Sequence, residues 1–282
     1  MNTSNQSYKA YSFADHKEVY LLLENTFKAF DVHYYLIGAN ARDVELYKAN
    51  QKPNRGTADI DFAVMLPDIE TYTAITDHLK TKGFADAYGK EPHRLFHEKS
   101  NTVIDLLPYG ELESNYTVKF TDRNIELSVI GFKEVGEDVQ NFEHPAGLSI
   151  PVTPAHGIVI LKLISWSKKN ERVKDLKDIK ALLDAAWQLY ENEFYCENSE
   201  YSYLTSNNPF EMETVAAHIM GRKMQNILNK NNDLKSLIKT QLKNELTDET
   251  GPKTKIIAVE EKMAVEEIKK LFTALLDGVN YK

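Results

Sequence analysis

The sequence predicts an α+β protein in two parts: a lobe of mixed sheet with flanking helices over residues 1–152, then a helical lobe over residues 153–282. Three observations predict it. From Tyr34 to Pro151, short β-rich runs alternate with segments of helical period. From Pro154 onward the apolar pattern is almost entirely helical. Pro151 and Pro154 punctuate the change between the two textures.

In the first lobe, Val19, Leu22, Leu23, Phe27 and Phe30 recur at helical spacing, which predicts a helix over Asp15 to Phe30 with Asp15 as its cap. His33 to Ile37 reads as a strand that ends at Gly38, and Asn40 to Lys48 as a short helix. Pro, Asn, Arg and Gly fall together in Pro53 to Thr57, a loop composition. Ala58 to Leu66 is a strand on which Ile60, Phe62 and Val64 share one face, and Asp59, Asp61 and Ala63 the other. Asp68 to Lys82 is helical and stops at Gly83. Leu95 to Glu98 and Thr102 to Leu107 form a hairpin turned at Lys99, Ser100 and Asn101, and Ile125 to Ile130 adds a strand. In the second lobe, helices are predicted from Pro154 through Trp166, over Glu171 to Tyr190, Phe210 to Asn229, Leu234 to Leu246 and Ile256 to Leu276. A loop is predicted from Glu197 to Pro209.

Composition narrows the function classes. The chain has 282 residues, of which 42% are hydrophobic and 27% charged, the balance of a globular protein. No apolar run approaches the roughly 20 residues of a membrane span, so no membrane role is expected. Met1 to Tyr11 is polar, without the apolar core of a secretory signal. Cys196 is the single cysteine, which excludes an intramolecular disulfide and points to a cytoplasmic setting. The formal charge of −8 argues against bulk attraction to nucleic acid, leaving a local basic patch as the route to any such contact.

The strongest chemical signal is Thr57-Ala58-Asp59-Ile60-Asp61-Phe62. Two acids at i and i+2 of a strand project from one face and repel each other unless positive charge lies between them. Hard divalent cations supply that charge: Mg²⁺, with Mn²⁺ as the alternative, takes carboxylate oxygens together with substrate phosphates. Asp105 lies in the middle of the apolar strand Thr102 to Leu107, where a lone acid is costly unless paired or metal-bound. If the two strands are neighbours, Asp59, Asp61 and Asp105 form the ligand set of a two-metal site. The plainer alternatives are a solvated Asp-x-Asp face and an Asp105 paired with a nearby Arg.

Upstream, Tyr35-Leu36-Ile37-Gly38-Ala39-Asn40-Ala41-Arg42-Asp43 runs from strand through small residues into a helix. Small residues let a phosphate approach the backbone, and a helix start offers it free N–H groups. Arg42 either reaches a phosphate or pairs with Asp43 or Glu45. His93 and His97 have the spacing of helical metal ligands but sit in strand context, and Gly251 to Lys255 lacks the glycine spacing of a P-loop. Cys196 has no neighbouring base and reads as inert. Tyr190, Phe194, Tyr195, Tyr201 and Tyr203 suit base stacking, though packing against helices is the commoner use.

The order Gly38-Ala39, then Asp59-Ile60-Asp61, then Asp105 resembles the DNA polymerase β-like nucleotidyltransferases. The chain departs from that pattern at Ala39, where Gly or Ser is usual; a backbone N–H contact to phosphate is kept and a hydroxyl contact is lost. The segment Val159 to Trp166, followed by Arg172-Val173-Lys174-Asp175-Leu176-Lys177-Asp178-Ile179, resembles the AbiEii-type abortive-infection toxin family. The likeness covers roughly Leu36 to Leu183. It implies a nucleotidyltransferase that moves a nucleoside monophosphate from an NTP to a hydroxyl on tRNA or other RNA, a protein or a small molecule, with a cognate antitoxin as partner. It also implies catalytic and metal-binding roles for Asp59, Asp61 and Asp105, and nucleotide contacts from Gly38, Ala39, Arg42, Thr57, Lys162, Lys174, Asp175 and Asp178. Read without the resemblance, Lys162 in an apolar helix either has an acidic or phosphate partner or snorkels. Lys174, Asp175 and Asp178 also read as a solvated face with an i,i+4 pair. Lys168, Lys169, Arg172, Lys174, Lys177 and Lys180 form a basic stretch that suits RNA or triphosphate, or is a solvated face. Two rival functions use the same fold: a non-catalytic module that binds nucleotide or docks a partner, and a small-molecule adenylyltransferase.

Overall fold

A computed structural model describes residues 11–87, 91–121, 123–144, 147–168, 172–206, 210–247 and 252–281. The chain forms two compact units. One includes the residues up to Val44 and then Lys52–Pro154; the other joins Glu45–Gln51 to the residues from Ala155 onward. The division passes through a helix, not only through the Pro151 to Pro154 segment.

Among the described residues, the first elements of this unit are a 3-10 turn at Ser12–Asp15 and helix α1, Lys17–Ala29. His16 occupies the N-cap position of α1, one residue past the cap expected at Asp15, and forms no side-chain cap hydrogen bond. Val19, Leu23 and Phe27 of α1 are fully buried, as their spacing requires. Strand β1 (Tyr34–Ile37) runs directly into α2 (Gly38–Lys48), with no intervening loop. After the loop come β2 (Asp59–Leu66), α3 (Ile69–Lys80), β3 (Phe84–Asp86), β4 (Arg94–His97) and β5 (Thr102–Gly110). Asp68 caps α3 by accepting from the Thr71 N–H at 2.7 Å. Strands β6 (Thr117–Phe120) and β7 (Ile125–Ser128), a short helix α4 (Phe132–Gly136), and strands β8 (Gln140–His144) and β9 (Leu148–Val152) complete the unit.

Among the described residues, seven strands make one mixed sheet in the order β3-β4-β5-β2-β1-β9-β8, and β6 pairs with β7 separately. Strand β2 is parallel to β5 and antiparallel to β1. One face of the sheet is covered by aromatics: Phe62 of β2 meets Tyr20 and Phe27 of α1 edge-on. This is the apolar face that the alternation in β2 predicts, with Ile60, Phe62 and Val64 all buried.

The second unit holds α5 (Ala155–Lys168), α6 (Val173–Tyr195), a 3-10 turn at Ser202–Ser206, α7 (Met212–Leu228), α8 (Asn232–Leu246), α9 (Pro252–Glu261) and α10 (Val265–Asn280). The single helix expected over Ile256 to Leu276 is two. Lys262 adopts φ +56° and the Met263 N–H closes back on the Ala258 carbonyl at 3.0 Å, which ends α9. Glu267 then accepts from the Ala264 N–H at 3.2 Å and starts α10. Glu245 of α8, fully buried, holds the start of α9: it accepts from the N–H groups of Lys253 and Thr254 at 2.8 and 3.0 Å and from the Lys253 ammonium at 2.7 Å. The segment that lacked P-loop spacing is, from Pro252, the first turn of a helix; Gly251 lies outside the described residues, as do Lys169, Glu171 and Asn207 to Pro209. No described helix is long and apolar enough to cross a membrane.

Candidate active site

The strand register builds the site. On the sheet, Ile37 of β1 lies opposite Asp61 of β2, Asp61 opposite Asp105 of β5, and Asp105 opposite Arg94 of β4. Side chains at laterally paired positions share a face. Asp61, Asp105 and Arg94 thus form one row across three strands, and Asp59 joins them two residues along β2. Each of the three aspartates offers a ligand oxygen within 4.8 Å of the others; Asp59 and Asp61 are half-buried and Asp105 is buried. Three carboxylate oxygens, one from each aspartate, within that distance suit a hard divalent cation by donor chemistry and by charge.

Each carboxylate has its own support. The Thr57 hydroxyl donates to Asp59 Oδ1, and Thr57 is itself fixed by its N–H on the Ser12 hydroxyl at 2.9 Å. Asn40 of α2, fully buried, donates to the Asp59 carbonyl at 2.7 Å and accepts from Tyr20 at 3.2 Å, tying α1 and α2 to the start of β2. Asp61 lies over the first residue of α2. Gly38 has φ +69°, and a Cβ there would stand 2.1 Å from Asp61 Oδ2. The start of a helix carries partial positive charge, which favours an acid beside it. Asp105 is gripped by a bidentate fork: Arg94 Nε donates to Oδ1 at 2.7 Å and Nη2 to Oδ2 at 2.6 Å. That hydrogen bonding, with the nearby charge of Asp59, holds the Arg94 guanidinium well above its already high pKa. Arg94 and Asn40 were not legible as site residues in the sequence. The alternative reading of Asp105, an acid paired with an Arg, and the ligand-cluster reading hold at the same time.

Other expected residues are placed differently. Arg42 is buried among partners of its own unit. It is 1% exposed; its Nε and Nη2 engage the adjacent Asp43, and Nη2 also donates to the Arg55 carbonyl at 2.9 Å. Asp43 in turn accepts from the Ser12 N–H at 3.0 Å. Arg42 and Asp43 therefore brace the loop that delivers Thr57. Ala39 is buried in the first turn of α2.

In the helical unit, Lys162 of α5 is buried between two acids of α6, Asp175 at 3.2 Å and Asp178 at 2.6 Å. Arg172 adds a second cation to Asp175 at 2.6 Å. The buried ammonium is thus satisfied within its own unit, without snorkelling. The solvated face expected for Asp175 and Asp178 is not formed: both are buried, and Asp178 meets Lys162 instead of the exposed Lys174. Within the basic stretch, Lys177 pairs with Glu260 and the buried Lys180 with Asp184, while Lys174 is exposed. Of the aromatic run, Tyr190, Phe194 and Tyr201 are buried and pack within the unit, while Tyr195 is exposed. His97 hydrogen-bonds Ser100 across the hairpin at 2.7 Å; among the described residues, neither it nor His93 joins a cluster with metal-ligand geometry.

The family model described as "Nucleotidyl transferase AbiEii toxin, Type IV TA system" matches residues 21–279. Among solved structures, the chain is similar to an antigenic nucleotidyltransferase-like protein from Paracoccidioides brasiliensis, at 15% identity and a TM-score of 0.40, with 81% of this chain and 94% of that one covered. No curated protein matches.

Proposed function

The chain belongs to the AbiEii nucleotidyltransferase toxin family, and from that premise we propose that it transfers a nucleoside monophosphate from an NTP to a hydroxyl acceptor, using Asp59, Asp61 and Asp105 with Mg²⁺ or Mn²⁺. The observation that carries the reading is the convergence of these three acids, from two neighbouring strands, to within 4.8 Å. In the proposed reaction the acceptor oxygen bonds to the α-phosphorus, the bond from that phosphorus to the α,β-bridging oxygen breaks, and pyrophosphate leaves. The acceptor proton passes to Asp105, whose oxygens each keep a lone pair after Arg94 has taken one. Asp59 and Asp61 would hold the divalent cations and Asp105 would complete the acceptor-side one, with Thr57 fixing the Asp59 carboxylate. The backbone N–H groups at Gly38 and Ala39, at the start of α2, would take the phosphates, as helix starts bind anions. Divalent cations, when bound, supply charge that offsets the negative charge building on the phosphoryl and leaving oxygens.

Candidate acceptors are tRNA, a protein side chain and a small molecule, and a cognate antitoxin is a candidate partner. The test is to incubate the purified chain and Mg²⁺ with each α-labelled NTP, against tRNA, total protein and aminoglycoside pools in turn. Label should enter one pool and disappear with Asp59→Asn plus Asp61→Asn. Label that persists in the double variant overturns the assignment. NTP binding that ignores Mg²⁺, with no transfer to any pool, makes the chain a binding module instead.

A further inference from the structure

The carboxylate cluster has a feature that the transfer reaction does not itself require. Three acids face one another on a sheet, yet the row they share ends in a cation of the chain's own. Arg94 lies opposite Asp105 in the β4–β5 register, just as Asp61 lies opposite it in the β2–β5 register. The fork occupies both Asp105 oxygens, at 2.7 and 2.6 Å, and the side chain of Arg94 is one-third exposed while that of Asp105 is 8% exposed. A planar guanidinium gripping both oxygens fixes the rotation of the carboxylate as well as its position, which an ammonium cannot do. An arginine also keeps its charge at every accessible pH.

We propose that Arg94 is the resident counter-ion and positioning residue of the aspartate cluster: it lets the three carboxylates converge before any divalent cation arrives, and it sets which edge of Asp105 is presented to the acceptor. The proposal rests on the transferase reading for its catalytic half alone. Its electrostatic half follows from the row of charges on the sheet. Without the guanidinium, three mutually repelling acids share the site, so the folded state becomes dependent on an added cation. With a lysine there, charge is restored but the carboxylate is free to rotate. Residues that orient a metal ligand from behind typically change metal affinity or activity by about 10–100-fold when removed.

The experiment compares the full-length wild type with Arg94→Ala, Arg94→Lys, Asp105→Asn and the double variant Arg94→Ala/Asp105→Asn. Melting is recorded in EDTA and in Mn²⁺, and pyrophosphate release is followed with NTP and the active acceptor pool. In EDTA, Arg94→Ala should melt below the wild type, and adding Asp105→Asn should recover much of that loss because the orphaned charge is gone. Mn²⁺ should raise the melting temperature of Arg94→Ala by more than that of the wild type. Arg94→Lys should restore the melting temperature in EDTA, while kcat stays about 10–100-fold low with KM for NTP little changed. If Arg94→Ala yields no folded protein, recovery of folding by the double variant reads the same coupling. Additive effects of Arg94→Ala and Asp105→Asn in EDTA would overturn the counter-ion role, and a wild-type kcat in Arg94→Lys would overturn the positioning role. A wild type that neither responds to Mn²⁺ nor transfers label sinks the transferase reading instead, and the coupling in EDTA still reports on Arg94.

Discussion

Replacing Gly38 by alanine isolates how tightly the start of α2 is fitted to Asp61. The new methyl would stand 2.1 Å from Asp61 Oδ2, 2.8 Å from Cγ and 3.1 Å from Cβ. Heavy atoms do not approach that closely, so the carboxylate or the helix start must give by about 1 Å, a displacement that can cost an enzyme on the order of 100-fold in rate. The φ of +69° adds a backbone cost of about 1–2 kcal/mol for any residue with a Cβ. Gly147 is the matched control: its φ is +84°, and a Cβ there meets nothing within 4 Å. Both alanine variants should therefore lose comparable stability from backbone strain, read by urea denaturation. Only Gly38→Ala should also lose Mn²⁺ affinity, read by calorimetry, and about 100-fold or more in the rate of nucleotide transfer. If Gly38→Ala binds Mn²⁺ and transfers label as well as Gly147→Ala does, Asp61 does not act from the position described.

Further expectations concern the supports and the helical unit. Thr57→Val removes the hydroxyl that donates to Asp59 and should lower the transfer rate by about 10–100-fold, with little change in melting temperature. Lys162→Met removes the buried ammonium shared by Asp175 and Asp178, leaving Arg172 on Asp175. It should cost about 3–5 kcal/mol in urea denaturation, most of it recovered when both acids are also changed to Asn; a loss under 1 kcal/mol would contradict the buried cluster. Burial holds the His144 imidazole below its ordinary pKa, against the smaller opposing effect of its hydrogen bond to the Phe13 carbonyl. The unfolded chain then binds the extra proton first, so this contribution is present above the ordinary His pKa of about 6.5 and is lost as pH falls through and below it. His144→Gln should flatten that acid limb of the melting curve; an unchanged limb would remove His144 as its cause.

The site was legible where local pattern determines geometry. Alternation along β2 puts Asp59 and Asp61 on one face and Ile60, Phe62 and Val64 on the other, whatever the neighbouring strands are. The buried acid in the β5 pattern likewise announced Asp105 as a residue needing a partner. Which partner it has depends on register between strands, and nothing within Arg94 to His97 states that position 94 faces position 105. For Arg42 the sequence left a phosphate or an acid open as partner; the fold pairs it with Asp43 and the Arg55 carbonyl, bracing the loop before Thr57. Strands β8 and β9 escaped notice for a different reason. Gln140 to His144 is mostly polar, with Phe142 and His144 as its buried side chains, and Leu148 to Val152 contains Pro151; neither looks like a sheet strand until paired with the other. Lys162 read as a cation with an acidic or phosphate partner or as a snorkelling one, and Asp175 and Asp178 partner it one helix later.

The most direct test of the central claim is a crystal structure of the chain with Mn²⁺ and a non-hydrolysable NTP, with the metal located by its anomalous signal. Mn²⁺ should be held by Asp59, Asp61 and Asp105, with the triphosphate at the start of α2 beside Gly38 and Ala39. Manganese bound away from the three aspartates, or a triphosphate seated elsewhere on the protein, would contradict that claim.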